Sequence, residues 1–134
     1  MRFLLDTNIC IYIIKTKPPE VRRRFEDCDP GDIGVSAITV AELEFGAAKS
    51  KWPDQAREAL ARFLLPLAAL AFDRAAAEAY GPLRAWLEAQ GKPIGANDLL
   101  IAAQALASGL TLVSNNTREF GRVPKLQVEN WATI

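Results

Sequence analysis

Short apolar runs recur along the chain, each stopped by a polar residue or a turn and separated by stretches long enough for helices. They are Phe3-Leu4-Leu5 before Asp6, residues 33–36, residues 67–72 and residues 110–114, with a weaker fifth run over 126–128. Runs this short with no polar alternation read as strands buried on both faces. Between them, helices are expected over residues 8–15, 20–28, 39–49, 53–64, 74–90 and 97–108. Pro18-Pro19 and Pro53 suit first helical turns, Asp73 suits an N-cap, and Gly91 and Gly109 suit helix ends. Asp29-Pro30-Gly31-Asp32 reads as a turn. Strands alternating with helices predict an α/β fold, a small mainly parallel sheet flanked by helices on both faces. With 134 residues, 50% of them hydrophobic, a single domain over residues 1–134 with a real core is expected. Sites in such sheets lie beyond the carboxyl ends of the strands, where strand order reverses.

The chain has no histidine. That excludes Ser-His-Asp and Cys-His triads and the H-E-x-x-H zinc site. Cys10 and Cys28 are too few for a disulfide scaffold or a zinc cluster and are expected to be reduced, structural residues. Sixteen basic and sixteen acidic residues give zero net charge, so a nucleic-acid partner would be held by local patches or by a metal. Asp6 and Asn8 interrupt the apolar N-terminus before a signal sequence can form, and the longest apolar run, residues 63–72, contains Pro66. A cytoplasmic protein with no membrane partner is expected.

Three carboxylates fall where the pattern asks for apolar side chains. Asp6 directly follows the first strand; an N-cap role and a site role are equally compatible with that position. Glu42 has Ile38, Thr39, Phe45 and Gly46 three and four residues away, and Gly46 leaves room for close approach. Glu44 has apolar neighbours too, so periodicity does not choose between the two glutamates. Asp98 stands in a first helical turn, where the helix dipole alone would favour it, although Asn97 could be the cap instead. Buried carboxylates must be paired, protonated or metal-bound, and the basic tracts (residues 22–24, 49–51 and 118–125) lie elsewhere. Oxygen-only donors point to Mg²⁺ or Mn²⁺, and such a cluster without histidine suits phosphodiester hydrolysis.

At these residues the sequence resembles the PIN-domain family, in particular its VapC ribonuclease toxins. The motifs are Leu5-Asp6-Thr7-Asn8, Val40-Ala41-Glu42-Leu43-Glu44-Phe45-Gly46, residues 94–103 around Asn97-Asp98, and Val113-Ser114-Asn115-Asn116-Thr117-Arg118-Glu119-Phe120. They stand in the family's order and spacing over the whole chain. The resemblance implies a PIN-like fold, with Asp6, Glu42 and Asp98 binding Mg²⁺ or Mn²⁺ and activating water. Thr7 and Asn8 would shape the surroundings of the first ligand. Many relatives carry Asp where Asn116 stands, so a second tightly held metal is put in question. Glu119 could supply the missing charge through water, or be an ordinary solvated residue.

The resemblance further implies an endoribonuclease, a VapB-like antitoxin that covers the acidic site, and a homodimer. The VapC branch with a similar Asn-Asn-Thr-Arg-Glu-Phe ending includes enzymes that cut initiator tRNA, so tRNA is the narrowest substrate expectation. Arg118 and Arg122, flanking the fourth motif, are the candidate substrate-binding cations. Two other readings stay open: a housekeeping PIN nuclease in RNA processing, and an inactive PIN-like interaction module. A phosphoryl-accepting receiver fits poorly, because Asp6 stands alone and no lysine follows the late strand.

Overall fold

In the computed structural model, which describes residues 1–132, β1 (Phe3–Leu5) is central and all three of its residues are buried. It lies between β2 (Ile33–Ser36) and β4 (Thr111–Val113), with Phe3 opposite both Ile33 and Thr111. β3 (Ala68–Leu70) and β5 (Val128–Glu129) form the edges. The order is β3-β2-β1-β4-β5 and every pairing is parallel, so the sheet is wholly rather than mainly parallel. The order reverses between β1 and β4, and this reversal defines the crevice.

Alternation along β1 assigns the two faces. Phe3 and Leu5 join the core built with α1 (Thr7–Lys15), α2 (Pro19–Asp27), α3 (Ala37–Ala48) and α4 (Pro53–Leu64). Leu4 points the other way, into the core built with α5 (Arg74–Ala89), α6 (Ala96–Ser108) and α7 (Thr117–Phe120). Both faces are therefore covered, as a continuous apolar strand requires. Trp131, beyond the last strand, packs edge-on against Phe3 at 5.3 Å between ring centroids. Its Nε1 donates to Glu129, which also pairs with Arg24.

Several boundaries differ from the sequence reading. α3 starts at Ala37 rather than 39, because the Ser36 hydroxyl accepts the Ile38 amide and caps the helix early. α6 starts at Ala96 with Gly95 in the cap position, so Asn97 is inside the helix and does not cap it. The turn at residues 29–32 is a 3-10 turn, Pro30–Asp32, capped by Asp29. β5 lies at Val128–Glu129 rather than 126–128. Both cysteines are free; burial pushes the Cys10 thiol well up, which leaves it an inert core residue. Among the described residues, no helix is long and apolar enough to cross a membrane.

Candidate active site

Because the helices run back against a parallel sheet, their N-terminal turns gather at the carboxyl edge of the strands. Asp6 sits there, one residue past β1. Its amide donates to the Val113 carbonyl at 3.0 Å, and its Oδ1 accepts the Ile9 amide at 2.9 Å. The residue is thus the N-cap of α1, and the cap does not take it out of the crevice, whose polar cavity it also lines. Its side chain is 3% exposed. Burial pushes its carboxyl up to about 6; the Ser114 hydroxyl and the Ile9 amide oppose the rise, and the Asp98 and Glu42 carboxylates add to it.

Glu42, on the second turn of α3, is half-buried, whereas Glu44 points to solvent. The periodic ambiguity is therefore resolved by partners from distant parts of the chain. The Thr7 hydroxyl donates to Oε1 of Glu42, and Asn97 Nδ2 donates to Oε2 at 3.2 Å. The buried Thr39 hydroxyl stands 3.4 Å from that of Thr7 and orients it. Asp98, in the first turn of α6, is half-buried; its carboxyl is pushed up first by burial, then by the Glu119 and Glu42 carboxylates.

The fourth motif follows β4. Ser114 is buried and its Oγ accepts the Asn116 amide at 2.9 Å. Asn116 caps α7, and its Nδ2 donates to Glu119 Oε2. Glu119 is half-buried against its own cap and beside Asp98 rather than solvated. Arg118 is exposed on α7, while Arg122 reaches back and donates to the Pro93 carbonyl at 3.2 Å.

Asp6, Thr7, Asn8, Glu42, Asp98 and Asn116 line one polar cavity of about 210 Å³. No cation is among them, so converging negative charge is left uncompensated by the protein. A larger hollow of about 380 Å³ between α1, α2 and α4 contains Arg22, Phe25, Arg62 and Phe63 but no carboxylate. The donor set of the polar cavity, carboxylates with amide and hydroxyl oxygens, fits a hard divalent cation. As the side chains stand, no group of three His, Cys, Asp or Glu among the described residues is arranged to hold an ion. Both oxygens of Glu42 are engaged, one by Thr7 and one by Asn97.

Asn97, Ser114 and Thr39 are site residues to which the sequence reading gave no role there. Asn97 reads in the sequence as part of the third motif and as a possible cap, and the Gly95 before it is the sign that the cap lies elsewhere. Thr39 and Ser114 give no sign of their roles without the fold.

Comparison with known proteins places the chain among nucleases. The PIN domain profile matches residues 3–126. The chain is similar to the tRNA(fMet)-specific endonuclease VapC of Shigella flexneri, 44% identical over 98% of this chain and 99% of that protein. Ribonuclease VapC2 of Haemophilus influenzae is 47% identical over 98% of each chain. A crystal structure of DNA-bound VapBC from Salmonella typhimurium contains a chain 40% identical to this one, superposing with a TM-score of 0.92 over 98% of both.

Proposed function

Because the chain belongs to the PIN-domain family, we propose that it is an endoribonuclease toxin of the VapC type, with Asp6, Glu42 and Asp98 as the carboxylates that hold Mg²⁺ or Mn²⁺. The observation that carries this reading is the cavity at the sheet's reversal point. Three carboxylates from three separate elements face it, one of them nearly inaccessible, and no side chain of opposite charge lines it. A divalent ion there would supply a nucleophile from water at neutral pH and offset negative charge on the phosphoryl oxygens.

The protein's own part is positioning. Asp6 is fixed by the helix cap and by its backbone bond to β4. Thr7 and Asn97 each hold one carboxylate oxygen of Glu42 at the cavity wall. Asp98 gains from the positive end of α6, which partly offsets its burial and its acidic neighbours. Asn116 offers a neutral amide whose Nδ2 is already engaged by Glu119. That favours one tightly held ion over two, with Glu119 acting through Asn116 or water.

The Shigella relative's specificity supports a tRNA substrate, which would place the activity in the cytoplasm, and the VapBC structure supports a VapB-like antitoxin partner. The test is cleavage of tRNA and other structured RNAs with and without chelator, with circular dichroism as the fold check. Cleavage lost in EDTA, restored by Mn²⁺, and absent from a folded Asp98→Asn variant is expected. Full activity in excess EDTA, or in that variant, would overturn the assignment.

A further inference from the structure

One turn beyond Glu42, α3 presents Phe45 and Gly46 to the same side of the molecule. Phe45 is 65% exposed, an apolar ring left in water. Gly46 lies inside a helix, where glycine is weaker than alanine, and a Cβ built on it would meet nothing within 4 Å. The protein's own packing therefore gives no reason for glycine there. Lys49, a further turn along, places its ammonium 5.0 Å from the Phe45 ring centroid. These three residues line an open groove of about 690 Å³ together with Thr7, Glu42 and Asn97. Thr7 and Glu42 also line the carboxylate cavity, so the groove opens directly onto it.

We infer that Phe45, Gly46 and Lys49 form a subsite for one unpaired nucleotide of the RNA beside the scissile phosphate. This rests on the endoribonuclease reading and names how that site holds its substrate. A base stacks on an exposed aromatic ring whatever its identity, because every base has a π-face. Gly46 lets the base lie close to the helix. The ammonium–ring contact is weak at an exposed site. The lysine stem lets the charge swing from the ring to the adjoining phosphate, which the carboxylates alone would repel. The subsite therefore selects for unpaired RNA rather than for one base, since bases inside a duplex cannot offer a face.

The probe is a fluorophore-labelled oligouridylate. Its binding to the Asp98→Asn chain is followed by anisotropy, and its cleavage by the unaltered chain is followed at steady state. Phe45→Ala should weaken binding about tenfold and raise KM by a similar factor, and Phe45→Trp should restore both. Gly46→Leu should raise the melting temperature while weakening binding, opposite movements that a merely structural role would not produce. Lys49→Ala should lower the salt dependence of binding. Trp86→Ala, an exposed aromatic on α5 outside the groove, should leave binding and KM unchanged. Oligouridylate binding and KM that ignore Phe45→Ala would overturn the subsite. So would a Phe45→Ala chain that loses self-association while its RNA binding is intact. If the chain binds oligouridylate through Phe45 but cuts no RNA, the endoribonuclease reading falls and the nucleotide subsite stands.

Discussion

Asp6→Asn should make the metal-free protein more stable at pH 8 while removing its activity. Asp6 titrates near 6 in the folded chain against an ordinary value of 3.8. A raised carboxyl binds more protons folded than unfolded, so stability is greatest at low pH. It falls as the pH climbs from about 4 to about 6 and stays low above that. The rise from 3.8 to about 6 corresponds to about 3 kcal/mol lost by pH 7. The amide replacement cannot ionise, and its Oδ1 can keep the cap on the Ile9 amide, where Asn serves as well as Asp. It gives up roughly 0.3–1 kcal/mol of helix-dipole attraction. The net expectation is a gain of about 2 kcal/mol at pH 8 and close to none at pH 4. For a domain of this size that is a rise of roughly 8 °C in melting temperature. Thermal melts in EDTA at the two pH values measure it directly. Adding Mn²⁺ should then raise the melting point of the parent chain and not of the variant. A variant less stable than its parent at pH 8, or a gain of equal size at both pH values, would refute the account of the buried charge.

Asn116→Asp should tighten Mn²⁺ binding in calorimetry but lower the melting point in EDTA, since the new carboxylate would lose its donation to Glu119 and face it instead. Glu119→Gln should reduce cleavage less than Asp98→Asn does, because Glu119 does not line the carboxylate cavity; equal losses would make Glu119 a direct ligand. Arg118→Ala should weaken RNA cleavage at moderate salt more than Arg57→Ala does, since Arg118 is exposed two residues past Asn116, which lines the cavity, while Arg57 pairs with Asp54 on α4. The chain should run as a dimer by light scattering without its antitoxin; a clean monomer mass would contradict this.

The three central strands are legible because their apolar runs end at polar residues that the fold then uses: Asp6, Ser36 and Ser114. Helix starts were less legible. Ser36 ends a strand and caps a helix at once, and Gly95 holds a cap position without a side chain, so residue preferences pointed elsewhere. Asp6 and Asp98 could be placed because their surroundings are local, a strand end and a first helical turn. Glu42 could not be separated from Glu44, because what distinguishes them comes from Thr7 and Asn97, far away in the chain. The seating of Trp131 on Phe3 joins the two ends of the sequence, which no local pattern encodes.

The sheet order also sets a clock. Phe3 of β1 must wait for Thr111 of β4 before its second edge is paired, and the crevice lies between those two strands. At about 5–20 residues per second of synthesis, roughly 5–20 s separate the appearance of these partners. For most of that interval Asp6 stands without Asp98, and for all of it without the Ser114–Asn116 turn. A chain still on its ribosome therefore cannot assemble the carboxylate cavity until β4 and the turn after it have emerged.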